Sequence, residues 1–481
     1  MFETLRKLQS RFFPKESFLE RVGVLVGGTA VAQLLLILAV PILTRLYTPD
    51  AFGILAVFAG LLTIASVMSS LRYELAIPLP ENDTEAANLV VLSLILVAIN
   101  TSIIATLVAL FNESIFSHLD INFFADYLWL VPVGTFLIGI YRVLNYWSTR
   151  TKNFRVIAGT KVSQAVATLM IQFGLYTFGS LGLIFGQIAG QSTGIISLGR
   201  SAFIASVFKD VTWLGIRKAA VKYRQFPLLS TPGGLINTAS TKLPVMILFA
   251  TFGPAVAGML SVAEKALQRP ASLIGTAISQ VFFADAPKAL RDKELKNLVE
   301  TLSAKMIHIG VPPVLILFLY SPDLFSFVFG EPWRQAGEIA SWIVFWVVLQ
   351  FTSSPLSMVF AVTEKMGQSL TWQIMLFVIN IIAVGYGVIF ADPMTTIILL
   401  SVLNTLCYLT LIIWIFNVCG SSLIVLVHCF SAALGVALIC ASPLFITTKL
   451  FDTSQNVQIV AFMVSCMLLM ARYLQIWLKN L

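Results

Sequence analysis

Long apolar segments recur along the whole chain and are separated by short polar stretches. Nearly every segment reaches the roughly 20 residues that a helix needs to cross the hydrocarbon core of a bilayer. None shows the short alternating segments of an outer-membrane barrel. The pattern predicts an all-α polytopic membrane protein with about fourteen transmembrane helices. Their predicted ranges are 22–44, 52–71, 88–110, 127–149, 156–178, 181–205, 226–251, 254–280, 303–320, 336–361, 367–390, 394–416, 422–446 and 457–478.

Composition agrees with this class: 58% of the 481 residues are hydrophobic and 11% are charged, whereas a soluble protein has about 25% charged residues. Lysines and arginines concentrate in the tail 1–21 and in the loops 150–155, 209–224 and 288–305, all on one side of the predicted membrane. The loop 111–126 on the other side contains acids but no Lys or Arg. The positive-inside rule therefore predicts cytoplasmic termini, with residues 1–21 as a retained tail. The net charge of +8 needs no nucleic-acid partner to explain it.

Glycine and proline landmarks repeat at a nearly constant offset of about 203 to 206 residues. The first set is Gly27, Gly28, Pro41, Pro49 and Gly53, and the second is Gly233, Gly234, Pro244, Pro254 and Gly258. The repeat predicts two six-helix lobes of the same orientation, 22–205 and 226–416, related by a rotation about an axis near the membrane normal. Residues 417–481 form an appended helix pair. The segment 206–225 between the lobes is a cytoplasmic linker, either an amphipathic helix on the inner leaflet or a plain tether.

Six basic residues lie inside predicted spans, where a charge costs at least roughly 2.5–3.5 kcal/mol. They are Arg142, Lys161, Arg200, Lys242, Lys265 and Arg269. Such residues usually face a polar cavity, so they are candidates for an anion path. The first three lie near the cytoplasmic ends of their spans, where snorkelling is the alternative. The other three are deeper, and Glu264 is able to neutralise one of them as an ion pair.

Polar residues at helical spacing accompany these cations. Gln164, Thr168 and Gln172 share one face of the fifth span with Lys161, and we expect that face to line a wet lumen. Gln187 and Gln191 in the sixth span are further cavity candidates. They flank a series of glycines that predicts close approach of another helix. These glycines are Gly182, Gly186, Gly190 and Gly194.

The sequence gives no support for metal chemistry or hydrolysis. The five cysteines lack metal-ligand or CxxC spacing, and the three histidines, His118, His308 and His428, are isolated. No Ser/His/Asp or paired-carboxylate arrangement stands out in an accessible loop. We therefore expect no catalytic residues, no metal and no cofactor.

The segment 43–89, with its stretches RLYTPDAFG and LRYELAIPLP, resembles the amino-terminal signature of the polysaccharide transporter family. This family belongs to the multidrug/oligosaccharidyl-lipid/polysaccharide exporter superfamily. The resemblance implies two lobes around a central cavity that opens alternately to either side. It also implies flipping of a polyprenyl-diphosphate-linked oligosaccharide, an O-antigen or exopolysaccharide repeat unit, from the cytoplasmic to the periplasmic leaflet of a bacterial inner membrane. A proton or sodium gradient is a candidate energy source, and a polymerase and a chain-length regulator are candidate partners.

Within this signature, Arg72 and Glu74 lie at the cytoplasmic end of the second span, where they are able to pair, and Arg45 lies at the external end of the first. We interpret these three as gate or topology residues. One alternative function is a multidrug or metabolite exporter, which would favour acids in the lumen. The other is a polytopic glycosyltransferase or polymerase. That enzyme would need a sizeable external loop with catalytic residues, and the largest external loops here have only about 16 residues.

Overall fold

The computed structural model describes residues 18–117, 126–203, 206–390, 392–447 and 455–479, and within these ranges the chain is helical and contains no strand. The helices are α1 (Phe18–Leu46), α2 (Pro49–Met68), α3 (Asp83–Ser117), α4 (Leu130–Arg150), α5 (Phe154–Gly174), α6 (Ser180–Ser192), α7 (Gly194–Phe203), α8 (Trp213–Lys222), α9 (Thr231–Phe252), α10 (Pro254–Arg291), α11 (Leu295–Gly310), α12 (Pro312–Phe329), α13 (Arg334–Leu356), α14 (Val359–Val362), α15 (Met366–Phe390), α16 (Pro393–Val418), α17 (Leu423–Phe445) and α18 (Gln455–Lys479). The predicted all-α fold class is confirmed.

Each predicted span coincides with a helix or with two consecutive helices. Twelve of these stretches are long and apolar enough, by length and composition, to cross a membrane. The fourth and eighth spans, in α4 and α10, fall below that threshold. Both carry cationic candidates, Arg142 in α4 and Lys265 and Arg269 in α10. The charged residues that suggest a polar path therefore also lower the mean hydropathy of the helices that contain them.

Local chemistry sets the ends of several helices. At the start of α2 the side chain of Thr48 accepts a hydrogen bond from the Ala51 amide at 3.3 Å, and Pro49 occupies the first helical turn. Asp392 caps α16 by accepting hydrogen bonds from the amides of Met394 and Thr395. The hydrogen bond from the Thr395 hydroxyl, together with these two amide bonds, lowers the pKa of the Asp392 carboxyl group. A proline in the first turn has no amide that needs a partner there. The sequence TPD of the signature therefore specifies a helix start.

The chain divides into two compact units, residues 1–246 and 247–481. This division falls inside α9, whereas the sequence placed the linker between the lobes at 206–225; the predicted lobe boundaries stay a prediction. In the first unit, a buried core joins α3, α4 and the linker around Ile77, Leu144 and Trp147. In the second, α13 packs against α10, α12 and α16, and α17 packs against α11, α12 and α18.

The linker contains α8, which is part of the first unit and is held there by specific contacts. The Lys222 ammonium donates to Glu85 at 2.6 Å, and this hydrogen bond raises the pKa of Lys222. The Tyr73 hydroxyl donates to the Ala220 carbonyl at 2.9 Å. Trp213 and Leu214 on the opposite face are 75% and 62% exposed. The linker thus contains an ordered helix whose exposed side chains are both apolar and basic, and its contact with the inner leaflet remains a prediction.

Candidate functional site

A cavity of about 280 Å³ lies inside the first unit between α2, α4, α5 and α6. Five predicted substrate-binding residues line it: Arg142, Lys161, Gln164, Gln187 and Gln191. The remaining lining residues are Ala59, Leu62, Thr63, Ser66, Ile138 and Tyr141. No Asp or Glu is among the described residues that line the cavity. Its charge is therefore positive, and its polar groups are hydroxyls and amides.

Arg142 is held in place by the neighbouring helix α2. Its Nη1 atom donates to the Ser66 carbonyl oxygen at 2.8 Å and to the Ser66 Oγ at 3.3 Å. A guanidinium has five N–H donors, so this anchor leaves further donors for an anion. The Ser66 hydroxyl itself donates to the Thr63 carbonyl at 2.8 Å. The cation is thereby oriented by its own protein and still able to bind an oxyanion.

Lys161 lies over the ring of Tyr141, with its Nζ atom 5.3 Å from the ring centroid. This cation–π contact stabilises the ammonium without neutralising its charge. Tyr141 is fixed by hydroxyl contacts to Thr160 Oγ1 at 3.1 Å and to the Asn145 amide at 3.3 Å. Tyr141, Ser66 and Thr63 were not among the cavity residues predicted from the sequence. Adjacency to Arg142 in the chain does not put Tyr141 on the same helix face, so the sequence contained no signal for its position in the cavity.

Three glutamine side chains form the amide part of the cavity. The Nε2 atom of Gln164 donates to the Gln191 carbonyl at 2.8 Å, which ties α5 to α6. The Oε1 atom of Gln191 is buried and has no hydrogen-bond partner among the residues that the structure describes. A buried polar atom without a partner costs free energy, so such a group usually meets a water molecule or a ligand. Gln191 thus offers an acceptor to a hydroxyl group in the cavity.

The glycine series of α6 lies directly beside this cavity and packs mainly against α5. A Cβ added at Gly190 would clash with the Thr168 hydroxyl and lie 2.9 Å from the Gln164 carbonyl oxygen. A Cβ at Gly186 would meet Gln172 and lie 2.9 Å from the Thr168 carbonyl. Gly182 is closely approached by Leu175 and Tyr47, and Gly194, the first residue of α7, by Tyr141 and Thr160. These glycines let α6 approach its neighbours closely enough to close one wall of the cavity.

This packing corrects one expectation. The sequence placed Thr168 and Gln172 with Lys161 and Gln164 on a lumen-lining face of α5. Only Lys161 and Gln164 line the cavity. Gln172 is 5% exposed and donates to the Leu183 carbonyl of α6 at 3.2 Å. The first half of this α5 face, with Lys161 and Gln164, lines the cavity. The second half, with Thr168 and Gln172, packs against the glycines of α6.

The other cationic candidates lie outside this cavity. Arg200 is exposed on α7. Lys242 is exposed on α9, where a Cβ added to Gly60 of α2 would be 3.7 Å from the Lys242 Cβ. Lys265 and Arg269 belong to the second unit and are half-buried on α10. A substrate-binding role for these four residues stays a prediction.

The gate candidates have separate partners. Glu74 is 1% exposed and accepts a hydrogen bond from the Ser70 hydroxyl. Arg72 has a left-handed backbone with φ of 60°, and its guanidinium occupies the space beside Gly234 at the start of α9. Within the described residues no ion pair joins Arg72 to Glu74. Arg45 is exposed at the end of α1. Arg72 therefore connects the end of α2 to α9.

We expect Gly234→Ala to lower the midpoint of thermal unfolding without preventing the protein from folding. The added methyl group would occupy the position of the flexible Arg72 guanidinium, which is able to move aside. The substitution therefore breaks the contact between α2 and α9 while the helices stay packed. Gly233→Ala is the matched control, because nothing lies within 4 Å of a Cβ there. Equal unfolding midpoints for the two variants in detergent would show that the contact between Arg72 and α9 does not stabilise the fold.

Among the described residues, no group of three or more His, Cys, Asp or Glu side chains is placed to hold a metal ion. All five cysteines are free, and Cys407 and Cys440 are buried in helix packing.

Comparison with solved structures identifies the fold. The chain matches the lipid II flippase MurJ in an inward closed conformation with a TM-score of 0.72 and 11% identity, over 95% of this chain and 99% of that chain. It matches an inward-facing multidrug resistance MATE transporter of the MOP superfamily with a TM-score of 0.52 and 16% identity, over 82% and 93% of the two chains. A MOP superfamily transporter from Pyrococcus furiosus, described as having a binding pocket of reverse polarity, matches with a TM-score of 0.50 and 17% identity, over 83% and 96%.

The comparison with curated proteins gives no match. A family profile described as polysaccharide biosynthesis protein matches residues 42–338, more than half of the chain. The match includes the signature at 43–89 and all the helices that line the cavity. It confirms the resemblance seen in the sequence. This multi-pass membrane protein therefore belongs to the polysaccharide biosynthesis protein family and has the fold of MOP-superfamily flippases and transporters.

Proposed function

We propose that the protein flips a polyprenyl-diphosphate-linked oligosaccharide, an O-antigen or exopolysaccharide repeat unit, from the cytoplasmic to the periplasmic leaflet of a bacterial inner membrane. The observation that carries this proposal is the cavity of the first unit, with two cations, three glutamines and no acid among its described lining residues. Membership of a polysaccharide biosynthesis family and the fold of a lipid II flippase support it.

The chemistry of the cavity matches the two polar parts of such a substrate. Arg142 and Lys161 supply charge for a diphosphate or an acidic sugar, and the guanidinium is suited to paired contacts with phosphate oxygens. Gln164, Gln187 and Gln191 supply amides that donate to and accept from sugar hydroxyls. The polyprenyl chain gains nothing from entering a polar cavity, so it stays in the lipid.

The size of the cavity limits what it holds. Pockets for drug-sized ligands are about 300–1,000 Å³, and this cavity is about 280 Å³. It therefore accommodates one polar part of the substrate, either the diphosphate or one or two sugars, rather than a whole oligosaccharide. We infer that the headgroup passes this site in steps during alternating access.

The alternative is an exporter of drugs or metabolites with the same fold. Cationic drugs or coupling cations call for acids in the lumen, and the charge of the described cavity is of the opposite sign. An exporter of small soluble anions would share that charge, so the substrate must be identified directly. Coupling to a proton or sodium gradient, and contact with a polymerase and a chain-length regulator, remain parts of the proposal.

Lipid analysis of a strain lacking the gene tests this function. We expect one lipid-linked oligosaccharide to accumulate with its headgroup on the cytoplasmic leaflet, and surface polysaccharide to disappear. Plasmid-borne wild-type protein should reverse both effects. A deletion strain with normal surface polysaccharide and no accumulated lipid-linked sugar would refute the proposed function.

A further inference from the structure

The exposed side of α8 combines an apolar line with basic residues. Leu214 and Val221 are 62% and 60% exposed, and their spacing of seven residues, about two helical turns, aligns them along the helix. Ile216 and Ala219 are buried on the opposite side, where α8 packs against the first unit. α8 contains no Asp or Glu. We call its exposed side the outer face, which consists of Trp213, Leu214, Arg217, Lys218 and Val221.

The basic residues of the outer face flank its apolar line. Arg217 follows Leu214 by three residues and Lys218 follows it by four, so helical geometry puts one of them on each side of the line. Both side chains are exposed. Trp213, which is 75% exposed, extends the apolar surface at the start of the helix. An apolar strip bordered by Lys and Arg is typical of a helix that lies in a membrane interface.

Contacts with α3 fix the level of α8 relative to the membrane. The Thr212 amide, directly before α8, donates to Asn88 Oδ1 at 3.3 Å. At the other end of α8, the Lys222 ammonium donates to Glu85 at 2.6 Å. The apolar run of α3 begins directly after these contact residues, at Leu89. α8 therefore lies beside the turn of α3 that joins the polar end of this candidate span to its apolar part.

The connection that follows α8 indicates the same level. α8 ends at Lys222, and the next candidate span begins at Phe226. Even a fully extended chain covers only about 10 to 14 Å between these two residues. The end of α8 is therefore held close to the start of a span. Together with the contacts to α3, this connection places α8 in the headgroup region of the bilayer.

The composition of the outer face matches a lipid surface rather than water. Trp213, Leu214 and Val221 would expose apolar area to water, which is unfavourable, and tryptophan is enriched at membrane interfaces. The aliphatic stems of Arg217 and Lys218 are able to lie along apolar surface while their charged ends reach phosphates. Anionic lipids attract basic segments of this kind. The positive charge of the outer face is thus complementary to an anionic membrane surface.

We propose that the outer face of α8 binds the anionic lipid surface of the membrane. Leu214 and Val221 enter the boundary between headgroups and acyl chains, and Arg217 and Lys218 bind lipid phosphates. The sequence left open whether the segment 206–225 is a plain tether or an amphipathic helix on the membrane. The outer face makes it a membrane-bound helix with a preference for anionic lipid. This lipid contact is independent of the proposed transport function.

A nitroxide label on the outer face tests where that face lies. Leu214→Cys and Val221→Cys are labelled separately in the full-length protein without its native cysteines, in nanodiscs of phosphatidylglycerol and phosphatidylcholine. We expect both labels to be accessible to molecular oxygen and shielded from a water-soluble nickel chelate. Asn297→Cys, at an exposed position of α11, is the matched control and should be open to the chelate. Outer-face labels as open to the chelate as the control would overturn the proposal. Shielding from both reagents would overturn it too, because it indicates a protein contact.

Removal of the basic residues tests the preference for anionic lipid, in the protein with its native cysteines. In native mass spectrometry the wild type should bind phosphatidylglycerol more tightly than phosphatidylcholine. Arg217→Gln with Lys218→Gln should lower this preference at least about fivefold, the effect of a charge near an anionic membrane surface. Lys293→Gln with Lys296→Gln removes two exposed charges elsewhere and should leave the preference unchanged. Equal binding of the two lipids by the wild type, or an equal loss of preference in the two double variants, is the result that would refute anionic lipid binding by α8.

Discussion

Arg142→Gln is expected to lower polysaccharide export about 10- to 100-fold in a complementation assay, because it removes a charged donor to the proposed anionic substrate worth roughly 1.5–3 kcal/mol. Lys161→Gln should give a loss of similar size. Both side chains line the cavity, and no acid among the described lining residues compensates for them. Arg142→Lys should retain part of the activity, because it keeps the charge but loses the paired donor geometry. Membrane abundance should stay near the wild-type level in each variant.

Lys365→Gln is the control for these substitutions. This lysine is exposed between α14 and α15, outside the cavity, so its loss changes the net charge of the protein by the same amount. Normal export by Arg142→Gln and Lys161→Gln would refute an anion-binding role of the cavity. Equal loss in the control would attribute the effect to net charge rather than to the cavity.

Gly190→Ala should destabilise the protein and lower its folded yield. An added Cβ would clash with the Thr168 hydroxyl and lie 2.9 Å from the Gln164 carbonyl oxygen, so α5 and α6 would have to separate. Overpacking of this kind typically costs 1–3 kcal/mol. Gly190→Leu should be more damaging still. The measurement is the midpoint of thermal unfolding in detergent, together with the yield of monodisperse protein.

Gly159→Ala is the matched control, because Gly159 lies on α5 and nothing lies within 4 Å of a Cβ there. Alanine is a better helix former than glycine by about 1 kcal/mol, so this variant should be as stable as the wild type or more stable. If Gly190→Ala unfolded at the same temperature as Gly159→Ala, close packing at Gly190 would not be important for the fold.

The membrane fold was predictable because apolar length alone determines which segments can cross a bilayer. Each predicted span has a helix, including α4 and α10, whose charges reduce their apolar character. The signature at 43–89 indicates the family and also contains a helix start. Thr48 caps α2 and Pro49 occupies its first turn, as expected for these residue types. Helix signals of this kind are local, so a single sequence contains them.

The cavity was only partly predictable, because helical periodicity shows which residues share a face but not what lies opposite that face. Lys161 and Gln172 share a face of α5, yet one lines the cavity and the other packs against Gly186. The glycine spacing of α6 predicted a close partner without naming it. Tyr141 was missed because an aromatic residue in an apolar span gives no polar signal. These distinctions depend on tertiary contacts between α4, α5 and α6.

If the cavity selects an anionic headgroup, flipping by purified protein in liposomes should depend on the diphosphate of the substrate. Two lipid-linked oligosaccharides with the same sugars should be compared, one joined to its lipid by a diphosphate and one by a neutral glycosidic link. We expect the wild type to flip the diphosphate-linked substrate much faster than the neutral one, and the double variant Arg142→Gln with Lys161→Gln to abolish this difference. Equal flipping of both substrates by the wild type, or an unchanged preference in the double variant, would contradict it.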